Sequence, residues 1–281
     1  MMPAISIIIA IFNKLPLLKL CLSSLERQSF KDFEVIIADD GSGPEIEDWL
    51  GTYNAPFPVT HLWQENKGFR KCKLLNHSLV HSKAEYIVFI DGDCVVARDF
   101  LKVHWERRKE GVFLGGRRVM IKKEYTANVS REMIDRGYFD GFSLWGLYRS
   151  LVKDFKYYEE TLKPLYFFKK KRYLDFVGSN FSAFKSDLFK VNGFDEDYEH
   201  RGGGEDTDIA WRLHSIGCRF ESVRCLAIEF HLGHEIPEDK SISADMFFEK
   251  KRRIKNQEDA KNIKSSLIEI SDENYRVIRK G

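Results

Sequence analysis

No two cysteines stand in a CxxC pair, no apolar run approaches the length of a bilayer span, and neither sign of charge prevails. Each absence removes a class of protein. The five cysteines, Cys21, Cys72, Cys94, Cys218 and Cys225, are odd in number and scattered, so neither a disulfide framework nor a cysteine zinc site is indicated, and a reducing compartment is expected. Forty-five Lys and Arg against 43 Asp and Glu leave a formal charge of +2, which gives no overall field for nucleic acid, and no such partner is expected. The apolar run from Ala4 to Ile11 has no basic segment before it and leads directly into Asn13 and Lys14. It therefore reads as a buried strand and not as a signal peptide. What is plentiful is aromatic: 14% of residues, with 22 Phe, implies large stacking or apolar surfaces somewhere in the fold. The chain of 281 residues is ample for one large core without staples.

The first half alternates short apolar runs with amphipathic stretches, the pattern of parallel strands joined by crossover helices, so the fold class is α/β. Ile5 to Ile11 is the first predicted strand. Leu15, Leu18, Leu22 and Leu25 then recur at helical spacing, with Asn13 as the candidate N-cap. Further strands are predicted at Phe33 to Ala38, Val59 to Trp63, Tyr86 to Ile90 and Val112 to Val119, and closing strands within Arg219 to Phe230. In open α/β sheets the ligand lies outside the carboxyl ends of the strands. Asn13, Asp39, Asp40, Asp91 and Asp93 each follow such an end and should converge on one crevice. Residues 122–172 mix aromatic with charged residues and read as a helical insertion, and the charged stretch after Pro237 reads as a helical tail.

Two clusters carry chemistry. Asp91-Gly92-Asp93 puts two carboxylates one residue apart at a strand end, hard oxygen ligands for a divalent cation that can in turn hold a diphosphate. Gly202-Gly203-Gly204-Glu205-Asp206-Thr207-Asp208 joins glycines, which allow close backbone approach, to carboxylates at the mouth of a helix, where one could serve as a general base or as a cap. His231 and His234 can add imidazole to a metal shell. Cys94, beside Asp93, has no soft partner at ligand spacing and is expected to pack inward.

Together these segments resemble a GT-A-fold glycosyltransferase of the inverting family 2 type. Ser6 to Lys14 resembles the family's first strand and turn, Val35 to Ser42 its second strand ending in DDGS, Asn66-Lys67-Gly68 its N-x-G segment, and Tyr86 to Val95 its DxD strand. Gly178-Ser179-Asn180, Gly193-Phe194-Asp195-Glu196 and GGGEDTD resemble the acceptor-side segment shared with galactosyltransferase-like and chondroitin-polymerase-like enzymes. The resemblance implies a Rossmann-like, mostly parallel central sheet flanked by helices, with the helical insertion and charged C-terminal helices added. It also implies roles. Asp40 with Asp39 would contact the nucleotide base or ribose, Asn13 would border the base, and Lys67 and Arg70 would approach base or phosphates. Asp91 would meet the ribose or sugar, and Asp93 a divalent metal, Mn2+ or Mg2+, with His231 or His234 completing the shell; the HLGH spacing leaves open which. Asp206 matches the catalytic base, Glu205 beside it would bind acceptor or sugar hydroxyls, and Asn180, Gly203 and Gly204 would bind the acceptor.

The expected organisation is one GT-A domain over residues 1–235, with a nucleotide-binding half at 1–120, the insertion at 122–172 and an acceptor-side half at 173–235, followed by the tail at 236–281. The expected activity is transfer of a hexose or N-acetylhexosamine from a UDP-sugar to a glycan or lipid-linked glycan in bacterial surface polysaccharide synthesis. A nucleotide-sugar nucleotidyltransferase would need a Gly-rich basic loop after the first strand, which Ile11-Phe12-Asn13-Lys14 lacks. A non-catalytic assembly subunit of the same fold is the alternative from another class. The processive signature QxxRW is absent, so a membrane-embedded polymerase is not expected. The protein is read as cytoplasmic. Tyr166 to Phe168, followed by Lys169 to Arg172, forms either an anchor at the inner face of the membrane, where cations meet anionic lipid, or a set of packed aromatics.

Overall fold

Seven consecutive residues, ISIIIAI, make β1 (Ile5–Ile11) the centre of the molecule. A strand apolar at every position except one serine has to be covered on both faces. Ile7 and Ile9 belong to one core, with Leu18 and Leu22 of α1 (Leu15–Glu26). Ile8 points into the other, with Leu74, Leu75 and Leu79. The computed structural model describes residues 2–168, 177–200, 204–235, 248–250, 258–267 and 275–280. After α1 come β2 (Phe33–Asp39), α2 (Pro44–Thr52), β3 (Val59–Gln64), α3 (Lys71–His81) and β4 (Tyr86–Asp91). β1 pairs in parallel with β2 and β4, and β2 with β3, so all four carboxyl ends emerge on one edge.

The chain continues through β5 (Cys94–Val96), α4 (Phe100–Arg107), β6 (Val112–Gly115) and β7 (Val119–Ile121). The single strand expected at Val112 to Val119 is thus two. The break falls at Gly116, whose N–H donates to the Asn180 carbonyl at 2.8 Å. A Cβ at that position would lie 2.5 Å from the Asn180 amide, so glycine lets the chain turn there and leave the main sheet.

The insertion holds α5 (Lys123–Thr126), α6 (Arg131–Asp135), α7 (Leu144–Leu151) and the short strand β8 (Phe155–Lys156). It is helical as expected, and its aromatics form a core of their own. Trp145 stands with its ring centre 5.1 Å from Tyr138, 5.9 Å from Phe139 and 5.4 Å from Phe155. The rest comprises β9 (Phe181–Phe184), α8 (Lys185–Lys190), α9 (Glu205–Ser215), β10 (Arg219–Ser222), β11 (Glu229–Leu232) and β12 (Tyr275–Lys280).

The main sheet runs β10-β6-β9-β4-β1-β2-β3-β12, and a second sheet β5-β11-β7-β8. β9 and β12 run antiparallel to their neighbours. β12 corrects the reading of the end of the tail as helical: residues 275–280 carry adjacent β-branched Val277 and Ile278 among basic residues and close the open edge of β3, where the Arg276 guanidinium lies 3.9 Å from the Trp63 ring centre. Exposed edges invite such pairing. Lys251 to Arg253 and Lys169 to Arg172 lie outside the described residues. Among the described residues no helix is long and apolar enough to cross a membrane.

Candidate active site

β4 ends in Asp91, and the chain must turn at once to put Asp93 on the same side. Gly92 permits the turn: its N–H donates to Ala10 O at 2.8 Å, and a Cβ there would lie 2.6 Å from the Ile11 Cδ1. Asp91 and Asp93 therefore project from the carboxyl edge, where each meets a different set of partners.

Asp93 meets the histidines. β11 lies beside β5, with His231 in register with Cys94. His231 Nε2 is 3.6 Å from Asp93 Oδ1, and His234 Nε2 is 2.8 Å from Asp93 Oδ2. Both imidazoles, which the HLGH spacing could not separate, thus reach the same carboxylate. Burial alone would raise the Asp93 carboxyl, but His234, His231 and Lys14 around it hold it well below the usual carboxylate range. Burial pushes His231 down to about 4, so it is neutral and able to ligate. This trio suits a divalent ion. Its ligand atoms lie within 4.8 Å of one another, one carboxylate and two imidazoles are a donor set for borderline cations, and His231 Nδ1 is buried without a hydrogen-bond partner.

Asp91 meets cations of the protein. Its Oδ1 accepts from Lys71 Nζ at 3.0 Å, and Oδ2 lies 3.6 Å from Arg118 Nη1. The same Lys71 Nζ is 3.9 Å from Glu205 Oε1. Burial would push the lysine down, yet Asp91 and Glu205 together hold its pKa above the ordinary value. Burial raises Glu205 against the pull of Lys71. Glu205 and Asp206 open α9, which Gly204 enters with φ 91°. Asp206 Oδ2 accepts from Gly178 N–H at 3.1 Å, and Oδ1 from Thr207 N–H at 2.7 Å. Asp91, Lys71, Gly178, Glu205 and Asp206 line one small cavity, so the two clusters read from the sequence meet in space.

Several expected residues have other duties. Asp39 is fully buried; its oxygens accept from Ser42 N–H at 2.8 Å and lie 3.0 Å from His61 Nε2. It staples the DDGS turn. Asn180 is fully buried too: its amide nitrogen donates to the Arg117 and Ala227 carbonyls, and its oxygen lies 3.2 Å from His104 Nε2. Lys67 stays on the rim, paired with Glu65 at 2.8 Å, and the Arg70 guanidinium bonds the Glu65 carbonyl. Neither reaches the carboxylate cluster. Asp40 is nearly buried, accepting from Gln64 Nε2 at 2.5 Å and Arg70 N–H at 2.8 Å. Asn13 takes a left-handed conformation and donates its N–H to Ser42 Oγ at 2.7 Å; the N-cap of α1 is Lys14. Gly203 lies outside the described residues. Cys94 is buried as expected.

Sequence reasoning missed Lys14, Lys71, Arg118 and Glu229. Glu229, buried beneath the DxD turn, accepts from Ser179 Oγ at 3.2 Å, and burial raises it to about 8. Arg118 Nη1 donates to the same Ser179 Oγ at 3.2 Å. Position after a strand end, for Lys14, or after a glycine pair, for Arg118, was the available signal; Lys71 carried neither.

A profile of glycosyl transferase family 2 matches residues 6–191, and one described as the N-terminal domain of galactosyltransferase matches residues 165–235. The chain belongs to glycosyl transferase family 2. It is 27% identical over 239 residues to a chondroitin synthase of Escherichia coli, covering 78% of this chain and 33% of the relative. It is 25% identical over 233 residues to a validoxylamine A glucosyltransferase of Streptomyces hygroscopicus, covering 76% and 52%. A GalNAc(5)-diNAcBac-PP-undecaprenol beta-1,3-glucosyltransferase of Campylobacter jejuni is 25% identical over 198 residues, covering 70% and 56%. The chain thus spans between a third and about half the length of these curated relatives. Among solved structures, S. aureus TarS bound to UDP-GlcNAc superposes with a TM-score of 0.61 at 16% identity, covering 87% of this chain and 63% of that one. A mannosyltransferase of Pyrobaculum calidifontis in complex with GDP-Man and Mn2+ gives 0.53 at 18%, covering 90% and 61%. The fold is GT-A.

Proposed function

We propose that the chain is an inverting glycosyltransferase that moves a hexose or N-acetylhexosamine from a UDP-sugar to a hydroxyl of a glycan or lipid-linked glycan, with a divalent ion, in polysaccharide synthesis. The observation that carries this reading is the pairing of two sites on one sheet edge. Asp93, His231 and His234 form a cation site, and Glu205 with Asp206 faces Asp91 around a shared cavity. The names of the relatives and the nucleotide-sugar complexes of the two solved structures support donor and acceptor classes of this kind.

Asp93, His231 and His234 would hold the ion, which when bound supplies positive charge to the leaving diphosphate. Asp91, held in place by Lys71 and Arg118, orients a donor hydroxyl. Asp206, pinned by Gly178 and Thr207, takes the proton of the attacking hydroxyl as general base. Glu205 holds a neighbouring hydroxyl. A base on the side of the sugar away from the diphosphate gives inversion. The reading is tested by offering a panel of nucleotide sugars and measuring Mn2+-dependent release of nucleotide. Release from none of them, with or without glycan, overturns it.

Peripheral contact with a membrane belongs to the same proposal. Leu144, Leu147, Tyr148 and Leu151 occupy one exposed face of α7, Leu144 at 80% and Leu151 at 73% exposure. Tyr166 is tied to the protein by Arg107 at 2.9 Å, whereas Phe167 and Phe168 are about 80% exposed, which argues against packing for those two rings. Exposed Lys153, Lys156 and Lys163 add cations along the same stretch of chain.

A further inference from the structure

Three side chains of β3 each hold a different residue of the DDGS turn that ends β2. His61 Nε2 lies 3.0 Å from Asp39 Oδ2, Gln64 Nε2 donates to Asp40 Oδ1 at 2.5 Å, and Trp63 Nε1 donates to the Ser42 carbonyl at 2.9 Å. The turn is also packed against the chain just beyond β3: a Cβ at Gly41, whose φ is 91°, would lie 2.5 Å from Asn66 N. Its shape is therefore set by β3. Ser42 Oγ in turn accepts from Asn13 N–H at 2.7 Å, which joins the turn to the β1–α1 link on the same carboxyl edge that carries Asp91 and Asp93.

Of the three holding residues, Trp63 is itself held by the last strand. It stands in register with Asp39 of β2 on one side and with Arg276 of β12 on the other. The Arg276 guanidinium lies 3.9 Å from the Trp63 ring centre, and its Nη1 is 3.0 Å from Glu47 Oε2. Glu47 belongs to α2, the helix that begins two residues after Ser42. A planar cation is attracted to the face of an indole and stacks flat on it. Such a stack fixes the plane of the half-buried ring, and the plane of the ring sets the direction of its N–H.

We propose that β12 is a functional part of the donor site: Arg276, acting through the Trp63 indole, fixes the DDGS turn in the shape that receives the nucleotide, and both are positioning residues for donor affinity. This rests on the reading of the chain as a nucleotide-sugar transferase and adds a role for a strand that lies beyond every motif of that reading. The turn bears on the nucleotide and not on Asp206. The effect of either residue therefore falls on binding and not on the chemical step.

UDP affinity in the presence of Mn2+, measured by calorimetry, and turnover of a UDP-sugar test the proposal on wild type, Trp63→Phe, Arg276→Ala and the double variant. Trp63→Phe keeps an aromatic face for Arg276 and removes the N–H. Its dissociation constant for UDP and its KM for the donor should rise about three- to tenfold, the worth of one hydrogen bond, with kcat within about twofold of wild type. Arg276→Ala should move both constants in the same direction. Because Arg276 acts through the indole N–H, adding Arg276→Ala to Trp63→Phe should cost no further affinity. A strand with only a structural role lowers the melting temperature and leaves the UDP affinity of the folded variants unchanged; that result, a fall in kcat at unchanged affinity, or additive losses in the double variant overturns the proposal while the donor site stands. If wild type binds no UDP with or without Mn2+, the donor reading itself falls and this inference with it.

Discussion

The ammonium of Lys71 lies 3.0 Å from the Asp91 carboxylate, and through the same Nζ, 3.9 Å from Glu205, it ties the DxD turn to the start of α9. Glu205 stands more than a hundred positions beyond Lys71 and Asp91 in the chain. The lysine lets two carboxylates that line one small cavity stay close, because a cation between two anions offsets their repulsion. The placement of the proposed general base, Asp206, beside Glu205 depends on this geometry.

Asp206→Asn keeps the size of the side chain but has one oxygen where Asp206 uses two, so it accepts from Gly178 N–H or Thr207 N–H and not both, and it cannot take a proton. Turnover should fall by about 10²- to 10⁴-fold with the dissociation constant for UDP-sugar nearly unchanged. A variant that keeps its rate and loses only about 1 kcal/mol of stability, as expected for a helix cap, would make Asp206 structural. Glu205 would then be examined as the base.

Asp93→Ala removes the carboxylate shared by both histidines. Metal-dependent UDP binding and turnover should both be lost, with circular dichroism unchanged. Asp91→Asn should spare metal binding and weaken donor use, because Lys71 and Arg118 occupy its oxygens. Titration of UDP in the presence and absence of Mn2+ separates the two outcomes.

His104 provides a pH dependence remote from the metal site. Nδ1 lies 2.7 Å from Ser182 Oγ and Nε2 3.2 Å from Asn180 Oδ1; Tyr86 OH is 2.8 Å from the same Ser182 Oγ. Burial lowers the imidazole from 6.5 to about 4, so the folded protein holds it neutral while the unfolded chain takes up a proton first. Stability from this residue is complete above pH 6.5 and is lost as pH falls toward 4. The size is on the order of 3 kcal/mol at about 1.4 kcal/mol per pH unit. Urea unfolding across that window should show a shallower slope for His104→Gln than for wild type, by about one proton. Parallel slopes would mean that the imidazole titrates freely in the fold.

Vesicle sedimentation tests the exposed face of α7. Binding should be greater to anionic than to neutral vesicles and should weaken with salt, since screening shortens the reach of surface charge to about 8 Å at physiological ionic strength. Leu144→Ser with Leu151→Ser should reduce binding without lowering the melting temperature, because both side chains are already in solvent. Salt-independent binding, or an unchanged doubly substituted protein, would remove this face from any membrane role.

Much of the fold was legible in the sequence because buried parallel strands have little choice. Ile5 to Ile11, Phe33 to Ala38, Val59 to Trp63 and Tyr86 to Ile90 are apolar enough to demand cover on both faces, and a polar residue can follow only where the sheet ends. That rule also located Asp91 and Asp93, and the helix-opening carboxylates located Glu205 and Asp206. The sequence could not say which polar residues face inward. Asp39 and Asn180 sit in motifs like those of binding residues, yet turn closure and a buried amide network consume their hydrogen bonds. Lys14, Lys71 and Arg118 look in the sequence like any solvated cations, and only the crossing of β1, α3 and the β6–β7 link over one sheet edge makes them neighbours of carboxylates. Residues 275–280 read as part of a charged helical tail until the open edge of β3 offered them a ladder. In each case local pattern set the secondary structure by burial, while the partners of a charge were decided by which distant segments the topology brought within a few ångströms of it.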